Sequence, residues 1–158
     1  MDALAKKKAL RMLTDGVFIL TSAGGNRTAA STVTWLTQTS FVPPLVAVGV
    51  KRESVTHRTM EASGHFAVNI LGKNQQGMAE KFFKHADPLG NTIAGCDFTP
   101  GATGSPILTD CPAYFECKVV DKSDIGDHIT YIGEVVEAGV RRDEKPLALR
   151  DTPWNYGG

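Results

Sequence analysis

The chain has 158 residues and a mass of 17.0 kDa, the size of one ordinary domain, and we expect a single domain over residues 1–158. Hydrophobic residues make up 42% of the chain and charged residues 22%, which excludes a disordered or collagen-like protein. Lys and Arg number 17, as do Asp and Glu, and without net charge we expect neither nucleic acid nor a membrane as partner.

Targeting and metal-binding signals are absent from the sequence. The longest apolar runs, such as Val17–Leu20 and Leu45–Val50, are too short to cross a bilayer, and the lysine-containing first residues lack the apolar core of a secretory signal. The three cysteines form no Cys-x-x-Cys pair and the four histidines no His-Glu-x-x-His pattern. We therefore expect a soluble, cytoplasmic protein that binds no metal.

The first part of the chain predicts one helix followed by strands and short turns. The pattern predicts a helix over Asp2–Leu13 and then a strand over Val17–Ser22, which a hairpin turn over Ala23–Asn26 follows. Two more strands are predicted over Thr28–Phe41 and Leu45–Val50. After them comes a helix that begins at a Ser54 cap and ends at Gly64. Two prolines, Pro43 and Pro44, separate the last two of these strands.

The second part of the chain continues with the same kinds of element. It predicts a strand over His65–Leu71 and a helix from an Asn74 cap through Lys84. A connection with little periodicity follows over Asp87–Pro106. The last predicted elements are two strands, Ala113–Asp121 and His128–Ala138, joined by the turn Lys122–Asp127. Strands that recur with turns and a few interposed helices favour a mainly β fold, a β-barrel with helical inserts.

The common catalytic and nucleotide-binding motifs do not occur. The chain contains neither Gly-x-Gly-x-x-Gly after a strand nor Gly-x4-Gly-Lys-Ser/Thr, and it lacks the Gly-x-Ser-x-Gly elbow of hydrolases. Any functional site must therefore be assembled from dispersed polar and aromatic residues.

The segment Ser31–Phe41 is unusually rich in hydroxyl groups for a strand beside buried neighbours. Strand alternation places Val33 and Trp35 on one face and Thr32 and Thr34 on the other, so neither face is cleanly apolar. Hydroxyl groups suit a polar ligand with a flat ring and a phosphate, and Trp35 can wall such a ring. On the pattern alone, a half-exposed strand is the simpler explanation.

Two further clusters carry groups that suit an anion. The segment Lys51–His57 lies where a strand meets a helix start, and free backbone N–H groups, the Ser54 and Thr56 hydroxyls and nearby cations there suit a phosphate. Capping alone also explains Ser54. At the boundary between the last turn and the last strand, His128 can donate to an anionic or carbonyl group, although most histidines at such positions are simply exposed.

In the order and spacing of these segments, the chain resembles the flavin reductase-like, FMN-binding split-barrel family. The resemblance covers Asp15–Ala138 and is carried by STVTWLTQTSFVPPLVAVGVK, the Ser/Thr helix start, GHFAVNIL, EKFF and GDHITYIGEVVEA, while the tail PLALRDTPWNYGG is also similar to the family's ending. It implies a Greek-key split barrel, a homodimer, and FMN bound near the dimer interface.

The resemblance also implies which residues contact the cofactors. The hydroxyl-rich strand would line the flavin with Ser31, Thr32, Val33, Thr34 and Trp35, and would place Gln38, Thr39 and Ser40 toward the ribityl chain and phosphate. The strand–helix junction would complete the phosphate site with Lys51, Arg52, Ser54 and Thr56. His128 takes the position where the family places a histidine near the nicotinamide or flavin, so we expect it to be the catalytic residue.

The function implied by the resemblance is an NAD(P)H-dependent flavin (FMN) reductase, with NADH or NADPH as hydride donor and a redox protein or an oxygenase as partner. One alternative is a non-enzymatic FMN carrier that exchanges electrons with a redox protein partner. A weaker alternative is a related split barrel that binds pyridoxal phosphate or haem. Phe82, Phe83 and Trp154 are candidate interface aromatics, although a core role fits the two Phe residues equally well.

Overall fold

Eleven strands, three α-helices and one 3-10 helix make up the computed structural model, which describes all residues 1–158. The helices are α1 (Ala3–Leu10), α2 (Val55–Ser63), α3 (Gln76–Lys81) and the 3-10 helix Leu149–Asp151. The strands are β1 (Phe18–Gly24), β2 (Arg27–Val33), β3 (Leu36–Ser40), β4 (Leu45–Lys51), β5 (His65–Ile70), β6 (Pro88–Leu89), β7 (Thr92–Ile93), β8 (Cys96–Pro100), β9 (Pro106–Leu108), β10 (Ala113–Ser123) and β11 (His128–Val140).

Seven strands form one antiparallel sheet in the order β2-β1-β5-β10-β11-β4-β3, and β6–β9 form a smaller sheet. Strands β2 and β3 lie at opposite edges of the large sheet, yet only Thr34 and Trp35 separate them in the chain. Because the step from Val33 to Leu36 spans at most about 10 Å, the sheet must curl until its two edges approach each other. The result is a barrel with a gap, and it confirms the expected mainly β, split-barrel fold.

Two apolar cores lie on the two faces of the large sheet, because successive residues of a strand point to opposite sides. On β1, Leu20 belongs to the first core, which residues of β4, α2, β5, β10 and β11 complete. Its neighbour Ile19 belongs to the second core, with residues of α3, the small sheet and Leu147. All three cysteines are free and buried, and burial raises the pKa of the Cys117 thiol to about 12.

Helix α2 begins and ends where the sequence predicts. The Ser54 hydroxyl accepts a hydrogen bond from the His57 N–H at 3.0 Å, and Gly64 ends the helix in the left-handed region with a φ of 69°, its N–H donating to the Met60 carbonyl. Met60 is buried in the first core. The predicted strand pair that includes β11 is also confirmed, and its register places His128 opposite Lys51 of β4.

The predicted long strand Thr28–Phe41 is wrong, because the chain leaves the sheet at Thr34. Strand β2 pairs only with β1, and β3 pairs only with β4 on the far side of the barrel. A strand of one sheet edge cannot continue into the opposite edge without such a break. The alternation of faces expected through Trp35 therefore does not extend beyond Val33.

Two other predictions differ from the structure around the second core. Helix α3 begins only at Gln76 rather than after an Asn74 cap, because the Gln75 side chain instead accepts a hydrogen bond from the Gly72 N–H at 2.8 Å. The segment Asp87–Pro106 is not irregular but contains the short strands β6–β8 and the start of β9. Strands of two to five residues are too short to show a period in the sequence. None of the helices is both long enough and apolar enough to pass through a membrane.

Candidate functional site

A cleft of about 820 Å³, which is in the range of small-molecule sites, lies where the chain leaves β2. Its walls come from the end of β2 with Thr34 and Trp35, from the β4–α2 junction, from the segment after α3, and from the start of β11 with residues near the end of the chain. The lining residues are Ser31, Thr32, Val33, Thr34, Trp35, Gly49, Val50, Lys51, Glu53, Ser54, Val55, Phe82, Phe83, Lys84, His85, His128, Leu149, Trp154, Asn155 and Tyr156.

Trp35 forms an aromatic wall of this cleft and packs directly on β4. The Gly49 N–H donates to the Trp35 carbonyl at 2.8 Å, and a Cβ atom at Gly49 would come within 3.2 Å of the indole ring. Glycine therefore permits the close approach of the indole to the strand. Trp35 keeps 36% of its surface exposed, so part of the ring remains available to a ligand.

Thr34 contributes a buried hydroxyl that has no hydrogen-bond partner in the protein. Its neighbours in β2 are satisfied internally: the Ser31 hydroxyl bonds to that of Thr56, and the Thr32 hydroxyl donates to the Ala79 carbonyl at 2.6 Å. Buried polar atoms are nearly always paired, and Thr34 Oγ1 is the one buried side-chain nitrogen or oxygen of the chain that is not. Because Thr34 also lines the cleft, its hydroxyl is a candidate contact for a ligand.

The β4–α2 junction brings charged groups and free N–H groups to one end of the cleft. The first N–H groups of α2 have no acceptor within the helix and lie beside Ser54. Lys51 and Glu53 belong to this junction and line the cleft, and Lys84 lines the cleft from the segment after α3. Two lysines against one glutamate in the lining, together with the positive end of the α2 dipole at the junction, favour an anion in the cleft.

Arg52 points away from this end of the cleft. Its guanidinium forms an ion pair with Asp124 and donates to the Gly126 carbonyl at 2.7 Å. The hydrogen bond from Arg52 lowers the pKa of the Asp124 carboxyl. Arg52 therefore holds the turn that directly precedes His128 and β11.

Both ring nitrogens of His128 are engaged. Nδ1 lies 2.9 Å from Asp127 Oδ1, and Nε2 lies 2.7 Å from the Tyr156 hydroxyl. Because a carboxylate only accepts, Nδ1 of the neutral ring carries the proton and Nε2 accepts from Tyr156. The hydrogen bond from His128 in turn lowers the pKa of Asp127. The Trp35 ring lies 4.6 Å from the His128 ring and 5.1 Å from the Tyr156 ring, so the three form one aromatic cluster.

The structure brings most of the sequence-predicted site residues into the cleft. Those that line it are Ser31, Thr32, Val33, Thr34, Trp35, Lys51, Ser54 and His128. The others lie outside its lining: Gln38, Thr39 and Ser40 continue along the edge strand β3, Arg52 faces Asp124, and Thr56 is buried behind Ser31. The break at Thr34 explains why the residues before it line the cleft and those after Trp35 do not.

Residues near the end of the chain line the cleft although sequence reasoning did not place them there. Trp154 packs edge-on against Phe83 at a centroid distance of 4.9 Å, and Tyr156 contacts His128. Two aromatic residues in an otherwise polar tail are the signal that could have indicated this role. We call the segment 152–158 the tail strap.

A family model described as a flavin reductase-like domain matches residues 10–154 of the chain. The chain belongs to this family. The family resemblance seen in the sequence is thereby confirmed, and the match extends from α1 to the tail strap.

Among curated relatives, the flavin reductase-like chain is 36% identical to the putative diflavin flavoprotein A 1 of Nostoc sp. strain PCC 7120, over 77% of the chain and 21% of that protein. It is 31% identical to a probable flavin reductase of Rhizobium meliloti strain 1021, over 85% of the chain and 42% of that protein. The chain spans only 21–25% of the length of three diflavin flavoproteins that it matches.

Solved structures of similar length share the fold of this flavin reductase-like chain. The flavin reductase HpaC complexed with NADP⁺ is 29% identical, with a TM-score of 0.80 over 99% of this chain and 97% of that one. Nitrilotriacetate monooxygenase component B of Mycobacterium thermoresistibile is 30% identical, with a TM-score of 0.78 over 94% of this chain and 84% of that one.

Proposed function

We propose that this chain binds FMN in the cleft and catalyses its reduction by NADH or NADPH, as a single domain over residues 1–158. The observation that carries the proposal is the combination of the Trp35 wall with the unpaired Thr34 hydroxyl in one cleft. A flat ring with polar edges satisfies both features at once. Membership of the flavin reductase-like family supports flavin as that ring.

The residues present fit a flavin mononucleotide. Its largely apolar ring suits Trp35 and Val33, while the Ser31, Thr32 and Thr34 side chains lie along the same stretch of chain. Its phosphate suits the other end of the cleft, where the α2 N-terminus, the Ser54 hydroxyl and Lys51 supply donors and positive charge. Thr56 supports this site through the Ser31 hydroxyl, and Arg52 supports it by holding the turn before His128.

When bound, a flavin supplies a ring that accepts a hydride from reduced nicotinamide. The chain itself binds and orients the two ligands. Asp127 fixes the tautomer and orientation of His128, so that Nε2 faces the cleft as a hydrogen-bond acceptor. A cleft that works by stacking and orientation needs no nucleophile or acid–base pair, which explains the absence of hydrolase motifs in the sequence.

The visible spectrum of the protein mixed with FMN, recorded without oxygen before and after NADH or NADPH is added, tests the proposed activity. Perturbation of the flavin bands shows binding, and rapid bleaching by a nicotinamide donor shows reduction. The donor that bleaches faster defines the preference between NADH and NADPH. A flavin spectrum that the protein leaves unperturbed contradicts the proposal.

Thr34→Val tests the observation on which the proposal depends. The change replaces an unpaired buried hydroxyl by a methyl group of similar shape, so we expect stability to be retained or raised by up to about 1 kcal/mol. FMN affinity should fall about tenfold, measured by quenching of flavin fluorescence. The matched control is Thr59→Val, which removes a buried hydroxyl that donates to the Val55 carbonyl at 2.9 Å outside the cleft. Equal FMN affinity in both variants and the wild type contradicts the assignment of Thr34.

A homodimer accompanies this proposal. Strand β3 is an open edge of the large sheet, and the Phe41 and Val42 side chains that follow it are 86% and 92% exposed. Open strands and exposed apolar residues favour pairing with a second copy, and such pairing would bury Gln38, Thr39 and Ser40. Light scattering should find a dimer for the wild type and a monomer for Phe41→Glu.

A non-enzymatic FMN carrier is the second candidate. It is favoured by the size of the diflavin flavoproteins that the chain matches over 21–25% of their length. Within a larger flavoprotein, a bound flavin would exchange electrons with another part of the same protein or with a redox partner. FMN that resists both nicotinamide donors but is bleached by dithionite supports the carrier over the reductase.

A further inference from the structure

The tail strap covers part of the cleft with few contacts to hold it there. Trp154 packs against Phe83 and the second core, whereas Tyr156 touches only Trp35 and His128 with its ring. Tyr156 remains 44% exposed, and a second hollow of about 280 Å³ lies against the same stretch of tail. The residues after Trp154 have open space on two sides and few buried apolar contacts, so the local stability of this part of the strap is low.

Tyr156 occupies a place suited to a different aromatic ring. Its ring lies 5.1 Å from Trp35 and 5.9 Å from His128, and its hydroxyl donates to His128 Nε2 at 2.7 Å. These are the contacts that a flat heteroaromatic ring with an N–H donor would make with the same two residues. The carboxamide of nicotinamide and the ring N–H of a flavin both have this chemistry.

While the Tyr156 hydroxyl is hydrogen-bonded to Nε2, neither ring nitrogen of His128 is free. Its other nitrogen donates to Asp127, so a ligand can bond to Nε2 only after the Tyr156 hydroxyl has left. Two further contacts hold the strap beside the Tyr156 ring. The Gly157 carbonyl accepts a hydrogen bond from Arg11 Nε at 3.1 Å. Gly157 also lies close to Trp35, because a Cβ atom at this position would be 3.2 Å from the indole. Tyr156 and an incoming ring therefore compete for one place.

We propose that Tyr156 is a built-in competitor for the heteroaromatic ring of the incoming nucleotide, and that the tail strap sets nucleotide affinity by having to leave before this ring binds His128 and Trp35. The proposal rests on the nucleotide binding proposed above. A site of which only a fraction is open binds its ligand more weakly by that fraction, so loosening the strap tightens binding.

Equilibrium titrations of the wild type, Tyr156→Ala, Tyr156→Phe and Arg11→Ala test the competition. FMN and NAD⁺ are titrated in separate calorimetry experiments. Both ligands are in their oxidised forms, so that no turnover disturbs the measured affinities. Tyr156→Ala should bind one of them about tenfold tighter, and Tyr156→Phe, which keeps the ring but not the donor, about threefold tighter. Arg11→Ala should tighten the same ligand, although Arg11 does not line the cleft. Tyr114→Phe, at a tyrosine outside the cleft, is the matched control.

The two titrations distinguish the two sources of the ring. Tighter FMN binding identifies the displaced position as the flavin site, and tighter NAD⁺ binding identifies it as the nicotinamide site. Equal or weaker binding of both ligands by Tyr156→Ala overturns the competition while leaving the proposed function in place. Absence of FMN and NAD⁺ binding in every variant overturns both proposals.

Fluorine NMR follows the strap without measuring activity or affinity. The chain has three tyrosines, so 3-fluorotyrosine labelling gives three resonances, of which Tyr156→Phe identifies one. Saturation with the ligand that the titrations select should move the Tyr156 resonance to the position of free fluorotyrosine. The Tyr131 resonance, from a residue that is 1% exposed, should keep its place. A Tyr156 resonance that does not move at saturation overturns the proposal.

Discussion

Two histidine–tyrosine pairs in this chain have the same hydrogen-bond length, 2.7 Å, but differ in everything that surrounds them. In the first pair, Tyr131 is 1% exposed in the barrel core and donates its hydroxyl proton to Glu61 at 2.6 Å. Because that proton is committed, His57 Nδ1 must be the donor to the Tyr131 oxygen. Burial and the neighbouring Glu61 raise the pKa of Tyr131 far above its usual value.

In the second pair, the direction and the setting are reversed. The Tyr156 hydroxyl donates to His128, and the tyrosine lies on the tail strap with 44% of its surface exposed. Burial also raises the pKa of Tyr156, with a smaller contribution from the charge of Asp127. A histidine–tyrosine hydrogen bond of the same length is thus part of the barrel at Tyr131 and an exchangeable contact at Tyr156.

The difference shows that a hydrogen-bond length does not measure how permanent a contact is. Tyr131 is held by strand β11, by its position in the first core and by Glu61, which also forms an ion pair with Lys122 at 2.6 Å. Tyr156 has two ring neighbours, Trp35 and His128, and both belong to the cleft. Permanence follows from the number of independent contacts that must break together.

The largest expected difference between the pairs is in stability. Tyr131→Ala should lower the free energy of unfolding by about 4 kcal/mol, because it leaves a large cavity in the core and removes the hydroxyl donor of Glu61 Oε1. Tyr156→Ala should lower it by less than about 1 kcal/mol, because the ring is half exposed and the strap is locally weak. Urea unfolding of both variants measures the two values. Similar losses would show that the strap is part of the cooperative fold.

Another expected difference between the pairs concerns reactivity. His128→Ala should lower kcat/KM for NADH about tenfold, a change of about 1.4 kcal/mol in transition-state stabilisation, and leave FMN binding nearly intact. His57→Gln, in the other pair and outside the cleft, should leave turnover by the folded protein unchanged. Steady-state kinetics of both variants tests this separation. Unchanged kinetics of His128→Ala would remove this histidine from the mechanism.

A smaller effect is expected in the pH dependence of stability. The hydrogen bonds from Lys122 and Tyr131 lower the pKa of Glu61 below the ordinary glutamate value of 4.5. A carboxyl with a lowered pKa in the folded state stabilises the protein above its unfolded pKa, and this contribution is lost as the pH falls through the folded value. Glu61 is partly exposed, so screening limits the contribution to about 0.5 kcal/mol.

Urea unfolding of the wild type and Glu61→Gln between pH 7 and pH 3 measures this contribution. The wild type should be the more stable protein at pH 7, and the difference should fade as the pH drops below 4.5, where the carboxyl of an unfolded chain becomes protonated. Asp127→Asn is the matched variant in the second pair. Because Asp127 is fully exposed, we expect the stability difference from the wild type to change less with pH. A difference at Glu61 that is constant with pH would contradict the role of its charge.

Removing each hydroxyl alone also separates the two pairs. Tyr131→Phe leaves His57 Nδ1 without its acceptor and Glu61 with Lys122 alone, and it should cost about 1.5 kcal/mol of unfolding free energy. Tyr156→Phe should change stability by less than about 0.5 kcal/mol, because water can replace the lost bond to His128. Thermal unfolding of the two variants side by side is sufficient to rank them.

Local signals in the sequence were sufficient for the elements whose ends depend on local chemistry. Helix α2 is predictable because the Ser54 cap and the Gly64 terminator act within one turn of the helix. The strand pair β10 and β11 is predictable because long alternating runs are separated by a short turn. The site residues on β2 were found because the order of several segments matches a family, and not because any single motif is specific.

Tertiary structure decided the features that depend on distant parts of the chain. The break at Thr34 arises because β2 and β3 belong to opposite sheet edges, a property of strand order that local propensity does not contain. Arg52 leaves the anion end of the cleft because Asp124, 72 residues away in the sequence, provides a better partner.

The sequence by itself therefore determined the mainly β class, the family and the segment from Ser31 to Trp35 that lines the cleft. Only the tertiary structure showed that the Thr34 hydroxyl is unpaired and that Tyr156 bonds to His128 inside the cleft. The physical reason is the range of the forces involved. Capping and strand alternation act between near neighbours, whereas a cleft exists only once the closed barrel has placed chain ends and sheet edges side by side.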